Sequence, residues 1–241
     1  MKAIVNTEYG SPDVLQLMEV PKPTPKVNEV LIKIYATTVN RTDCGFRNPE
    51  YFIVRLINGL FKPIKTILGS EFAGVIEAIG NDVKSFAIGD AVFGLSTYNF
   101  GTHAEYICIA ENKSIATKPV NMSFSEAAAV CDGLMLANNY IKRIDFSTPK
   151  KILVNGASGS IGSAVVQLAR CYNAEITTVC NSQSVELMKS LGANEVIDYT
   201  NPSPAVARSH SALVFHSKKI SSCFVVPAFF SRFRSPQKLP R

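Results

Sequence analysis

The sequence predicts an α/β protein in two parts: a β-rich domain over residues 1–122 and a partial, doubly wound parallel-sheet domain over residues 123–200, followed by a divergent basic tail over residues 201–241. Three observations carry this. Apolar and polar residues alternate at period two through stretches of the first 120 residues. From Lys151 the pattern becomes strand, glycine-rich turn, helix, strand, helix, strand. Beyond Thr200 the acidic residues vanish. At 241 residues the chain is long enough for one large domain or two small ones. Its 46% hydrophobic and 18% charged residues, with mean hydropathy +0.13, exclude disordered and fibrous classes.

In the first part, Val30, Ile32, Ile34 and Ala36 interleave with Leu31, Lys33 and Tyr35, the period of a half-buried strand. The clusters Tyr9-Gly10-Ser11-Pro12, Pro21-Lys22-Pro23 and Gly80-Asn81-Asp82 interrupt the chain at intervals too short for βαβ units. A barrel-like or sandwiched sheet is expected. Ser123 with Glu126 three residues later is a capping-box signature, and apolar spacing from Glu126 to Arg143 predicts one long helix. Lys151–Asn155, Glu175–Asn181 and Glu195–Tyr199 then read as strands separated by two helices. The first helix gathers Ile161, Ala164, Val165, Leu168 and Ala169 on one face, and Gly192 supplies the C-cap of the second. That is about half of a doubly wound sheet. The expected second half is not legible after Thr200, where a Ser/Pro/Phe-rich text with one apolar run, Phe224 to Phe230, predicts poor order. A frameshift, retained intron or gene-model error would produce such a tail, and a half sheet would leave an open edge.

The net charge of +6 belongs to that tail, which holds seven basic residues and no acidic one, leaving 18 basic against 19 acidic residues before it. Nucleic acid is therefore not an expected partner. No apolar run reaches the roughly 18 residues of a membrane span, and Met1 opens into Lys2-Ala3-Ile4-Val5 instead of a leader pattern. Six scattered cysteines without a CxxC pair argue for reduced thiols. A cytoplasmic protein without membrane attachment is expected.

The strongest chemical signal is Gly156-Ala157-Ser158-Gly159-Ser160-Ile161-Gly162, a GxxGxxG turn placed after an apolar strand and opening a helix. Glycines permit a tight turn and close backbone approach, and the positive helix N-terminus attracts the pyrophosphate of a dinucleotide. The competing reading is a glycine-rich turn without a ligand. At the end of the next strand, Val179-Cys180-Asn181-Ser182-Gln183-Ser184 holds no carboxylate to grip a ribose 2′-hydroxyl, while Asn181, Ser182 and Ser184 can donate to a 2′-phosphate. This favours NADP over NAD; the alternative is an unspecific polar loop.

Gly69-Ser70-Glu71-Phe72-Ala73-Gly74-Val75, then Gly80 and Gly89-Asp90-Ala91-Val92-Phe93-Gly94, occur in chain order ahead of the glycine turn. On these motifs the chain resembles the medium-chain dehydrogenase/reductase superfamily, especially its zinc-independent quinone oxidoreductase-like branch, from Met1 to about Thr200. The resemblance implies a GroES-like substrate domain, a Rossmann cofactor domain and catalysis between them. Zinc-dependent members use a Cys, a His and often a further Cys at positions that here carry Asn40, Ser70 and Cys131, and the Cys-rich zinc lobe is replaced by Thr97–Thr102. One thiolate cannot make a site that wants about three protein ligands, so no metal is expected.

The resemblance also implies that Asn40, Thr42 and Asp43 line the catalytic cleft. Asn40 would orient the substrate oxygen, Thr42 relay a proton and Asp43 organise the loop, against the plainer reading of an Asx-rich strand end holding its own backbone. Glu71 matches a family acid near the reaction centre or braces the sheet. Tyr199 matches a position near the adenosine phosphate or ends a strand. His103 reads as structural. The function implied is NADPH-dependent, zinc-independent hydride transfer to a small-molecule quinone or enone, in a chain related to homodimers. The alternatives are a truncated, catalytically impaired form and a zinc-dependent alcohol dehydrogenase-like enzyme.

Overall fold

The computed structural model describes residues 1–201 and the strand Leu213–His216; apart from that strand, the expected basic tail lies outside the described residues. The chain forms two compact units, Met1–Arg143 and Ile144–Arg241.

The first unit contains β1 (Lys2–Asn6), β2 (Leu15–Glu19), β3 (Glu29–Thr37), α1 (Arg41–Arg47), α2 (Phe52–Asn58), β4 (Glu71–Ile79), β5 (Ala91–Leu95), β6 (Tyr106–Ala110), β7 (Ile115–Thr117), α3 (Phe124–Ala129) and α4 (Cys131–Ile141). β6-β3-β4-β5-β7 form an antiparallel sheet, and β1 pairs with β2. Val30 and Ile32 of β3 enter a core with Phe72, Ile76, Val92, Ile107 and Ile109, and Lys33 and Tyr35 face solvent as period two requires, but Leu31, expected on their face, is buried as well. Full burial of Phe72 contributes about 2–3 kcal/mol. Gly74 is dictated by packing, because a Cβ there would sit 2.1 Å from the Lys33 carbonyl oxygen.

Three expectations for this unit need correction. The stretch expected to be all strands and turns holds two helices. α1 is nucleated by an Asn40 and Asp43 capping box, and α2 has a Phe-Ile-Val-Arg-Leu-Ile run whose β-branched content disguises it. The single helix expected from Glu126 to Arg143 is two, separated at Val130; α3 starts at the expected Ser123 and Glu126 capping box. The division after residue 122 moves to Arg143 because Ala127 and Ala128 are buried against Ala73 of the β-rich unit.

The second unit contains β8 (Lys151–Asn155), α5 (Ser160–Cys171), β9 (Glu175–Cys180), α6 (Val185–Leu191), β10 (Glu195–Asp198) and β11 (Leu213–His216). Its strands are all parallel, in the order β10-β9-β8-β11. The buried face of α5 is Gly162, Val165, Val166 and Ala169, turned from the expected one, with Ile161, Ala164 and Leu168 only partly covered. Gly192 caps α6 in the left-handed region, φ +110°.

β11 also corrects the expectation that no sheet continues past Thr200. The chain leaves β8 toward β9 on one side and returns to pair with β8 on the other, Leu213 opposite Ile152 and His216 opposite Asn155. β8 is therefore interior, not the open edge of a half sheet. Reversal of strand order at β8 makes its carboxyl end a topological switch point, the place where parallel sheets of this kind hold ligands.

Candidate functional site

At that switch point lies the glycine turn. The amides of Gly156 and Ala157 both donate to the Val179 carbonyl, at 3.1 and 3.2 Å, which ties the turn to the end of β9. Gly156 needs its glycine, at φ +74°. Gly162 needs it for a different reason: a Cβ there would lie 2.4 Å from the Gly156 carbonyl oxygen and 2.7 Å from the Ala157 Cα. Gly159 is the N-cap of α5, and no side chain caps the helix, so its first-turn amides, which have no intrahelical acceptor, point at the switch point. Ser158, Gly159 and Ser160 are exposed, Ile161 is half-buried and Ala157 is buried beneath them. A twelve-residue helix that opens without a cap beside two glycines packed to backbone contact is a fitting cradle for a diphosphate.

The ends of β9 and β10 meet beside it. Parallel register sets Asp198 opposite Cys180. Ser182 Oγ donates to Asp198 Oδ2 at 2.5 Å, and Thr200 donates its hydroxyl to Asp198 Oδ1 at 2.6 Å. Those bonds hold the Asp198 carboxyl below its ordinary range. Asn181 has a buried Oδ1 without a partner among the described residues, the Ser184 amide donates to the Asn181 carbonyl at 3.0 Å, and Tyr199 is exposed. The loop after β9 carries no carboxylate of its own; the neighbouring strand supplies one. Only the parallel register could have revealed it.

In the first unit a second group of polar side chains converges. Asn40 caps α1: its Oδ1 accepts from the amides of Thr42 and Asp43 at 2.9 and 3.1 Å. Its Nδ2 donates to Ser70 Oγ at 2.8 Å and Glu71 Oε2 at 3.2 Å. Asp43 Oδ2 accepts from the Asn40 amide at 2.9 Å and Oδ1 from the Gly69 amide at 3.0 Å. Burial pushes the Asp43 carboxyl above its ordinary value, opposed by those amides and by His103. His103 Nε2 lies 3.9 Å from Asp43 and 2.8 Å from the Thr38 carbonyl. Thr42 is exposed and meets the group only through its backbone. Glu71 is a hub at 3% exposure, accepting from Thr38, Asn40 and the Asp132 amide at 2.8 Å.

Two residues here escaped sequence reading as chemical candidates. Ser70 Oγ accepts from Asn40, which leaves its own proton free to donate. Asp132, in the first turn of α4, is pushed up to about 6 by burial and by the carboxylates of Glu71 and Asp43. Glu71 joins the two, accepting from the Asp132 amide and from Asn40, which also donates to Ser70; a carboxyl that exchanges its proton near neutrality is general acid–base equipment. No motif signals Asp132, because its neighbours come from β4 and α1. Of the positions where zinc-binding relatives carry ligands, Asn40 presents an amide, Ser70 a hydroxyl and Cys131 a thiol that burial pushes up to about 12 and that donates to the Ala127 carbonyl. Neutral donors of this kind do not fit Zn²⁺.

Comparison with known proteins agrees with this two-part plan. Residues 26–120 match the alcohol dehydrogenase GroES-like domain. A 2-methylene-furan-3-one reductase of Solanum lycopersicum is 40% identical over 210 residues, which cover 83% of this chain and 52% of that protein. An NADPH-dependent alkenal/one oxidoreductase, chloroplastic, of Arabidopsis thaliana is 35% identical over 83% of this chain and 53% of its own length. The solved structure of the quinone oxidoreductase from Coxiella burnetii superposes with a TM-score of 0.78 at 29% identity, covering 88% of this chain and 66% of that one. A GroES-like unit followed by a Rossmann-type parallel sheet is the plan of a medium-chain dehydrogenase/reductase, and the chain is similar to members of that superfamily. Within it the likeness is to the quinone oxidoreductase-like branch. The chain spans about half the length of the first two relatives.

Proposed function

We propose that the chain carries the nucleotide- and substrate-binding machinery of an NADPH-dependent quinone or enone reductase that works without zinc. The single observation that carries the reading is the uncapped α5 N-terminus above Gly156 and Gly162 at the switch point of a parallel sheet. The first-turn amides from Ser160 to Gly162 would hold the diphosphate, and the β9 end, with Asn181, Ser182, Ser184 and Tyr199, would face the adenosine. When bound, a reduced nicotinamide supplies a hydride.

The chain's own residues would handle the acceptor. Asn40 fixes Ser70, whose remaining proton serves as the donor to a substrate carbonyl oxygen, and Asp132 is the group able to yield a proton near neutral pH. Asp43 holds the Asn40 loop and Thr42 remains an exposed relay candidate. The zinc-free reading is supported by the amide, hydroxyl and neutral thiol at Asn40, Ser70 and Cys131. The names of the Solanum and Arabidopsis relatives support an enone-like acceptor and NADPH. A homodimer and a cytoplasmic setting complete the proposal; among the described residues no helix is long and apolar enough to cross a membrane.

The short span relative to those proteins favours a second reading, a catalytically impaired form that keeps the nucleotide cradle. One titration separates the two. Quenching or enhancement of NADPH fluorescence with consumption of a simple benzoquinone supports the reductase, binding without turnover supports the impaired form, and absence of binding refutes both.

A further inference from the structure

The usual device for choosing NAD is a carboxylate at the end of the second strand, which grips a ribose hydroxyl and repels a 2′-phosphate. Here that loop contains none, yet Asp198 reaches it from β10. We infer that Asp198, acting with Ser182 at the adenosine end of the site, is a cofactor-specificity determinant that restrains the 2′-phosphorylated dinucleotide and holds the preference for NADPH over NADH to within about tenfold. This rests on the dinucleotide-binding reading above.

Three observations converge on it. First, a serine hydroxyl has one proton, and Ser182 gives its proton to Asp198 Oδ2 at 2.5 Å, with Thr200 Oγ1 a further 2.6 Å from Ser182 Oγ. Thr200 likewise gives its hydroxyl and its amide to Asp198 Oδ1, at 2.6 and 2.9 Å. Of the two serine hydroxyls assigned from the sequence to phosphate recognition, that of Ser182 is turned onto a carboxylate. A phosphate dianion only accepts, whereas a ribose hydroxyl can donate to that carboxylate.

Second, the buried Asn181 Oδ1 is an acceptor without a donor among the described residues. A ribose or adenine donor satisfies it; a phosphate oxygen does not. Third, the basic residues of the described second unit all lie at the other end of the sheet. Lys150 and Lys151 lie at the start of β8, where Lys151 pairs with Glu175 at 3.1 Å. Arg170 and Lys189 are in the last turns of α5 and α6, and Lys189 pairs with Glu186 at 2.9 Å. No described cation offsets Asp198. Its carboxyl, held below the usual range by Ser182 and Thr200, is ionised throughout neutral pH.

The test is a fluorescence titration of the full chain with NADPH and with NADH, for wild type, Asp198→Asn and Ser182→Ala, with circular dichroism as the fold check. Wild-type dissociation constants are expected within about tenfold of each other. Asp198→Asn should tighten NADPH on the order of tenfold and move NADH by less than about threefold, since a like charge is removed from one ligand's environment only. Ser182→Ala, which leaves Asp198 in place, should not tighten NADPH as Asp198→Asn does. Wild-type preference for NADPH above about a hundredfold, equal loosening of both dinucleotides by Asp198→Asn, or a tenfold loss of NADPH by Ser182→Ala overturns the inference while leaving dinucleotide binding intact. Binding of neither dinucleotide overturns the proposed function, and the inference falls with it.

Discussion

Replacing Asp132 by Asn tests the polar group of the first unit through a quantity that can be worked out in advance. A free aspartate ionises near 3.9, whereas burial beside Glu71 and Asp43 pushes Asp132 up to about 6. The folded chain therefore holds a proton that the unfolded chain has already released across that window. Stability contributed at this position is present below about pH 4, falls as pH rises to about 6, and stays lost above. At roughly 1.4 kcal/mol per pH unit the full cost of the charge approaches 3 kcal/mol, and partial solvent access reduces it to about 2 kcal/mol. Asp132→Asn keeps the shape and removes the charge. It should be about 2 kcal/mol more stable than wild type at pH 7.5 and less than about 1 kcal/mol more stable at pH 4.5 in urea unfolding followed by circular dichroism. Carbon-13 titration of the Asp132 carboxyl should report a midpoint near 6. A variant advantage that does not change with pH, or a carboxyl midpoint below 4.5, would refute the coupling of Asp132 to its acidic neighbours.

Other substitutions probe the remaining steps. Gly162→Ala drives a Cβ to 2.4 Å from the Gly156 carbonyl oxygen; it should cost about 1–3 kcal/mol and loosen NADPH at least tenfold by fluorescence titration, because the turn must open. Ser123→Ala removes the side chain that caps α3 and exchanges hydrogen bonds with Glu126, a loss of about 1 kcal/mol in thermal unfolding. Phe72→Ala empties the centre of the five-stranded sheet and should cost about 3–5 kcal/mol by urea unfolding. Burial holds the Cys131 thiol near 12 and Cys108 near 11, while Cys44 and Cys171 are exposed. Iodoacetamide at pH 8 followed by peptide mass analysis should label the exposed pair and spare Cys131.

Local chemistry was legible where its cause is local. The strand alternation around Val30 and Ile32, the Ser123 and Glu126 cap, the Gly192 stop and the strand–turn–helix context of Gly156 to Gly162 all depend on residues a few positions apart, and the structure repeats them. Short helices were not legible. α2 is seven residues long with a β-branched composition, so propensity and period pointed elsewhere. The face of α5 was misread by about one position, because what a helix buries is settled by the sheet beneath it and not by its own apolar count.

What the sequence determined by itself is the strand–helix order from Lys151 to Asp198, the glycine turn and the polar identity of Asn40, Ser70 and Cys131 where a metal site would want ligands. Tertiary structure alone decided that β11 lies against β8, making the cradle a switch point, that Asp198 reaches Ser182 from a neighbouring strand, and that Asp132 shares its surroundings with Glu71 and Asp43. The physical reason is the range of each interaction. Caps and turns are closed by the next few residues, whereas strand register and the crowding of buried carboxylates arise between segments sixteen to ninety positions apart, visible only when the chain has folded.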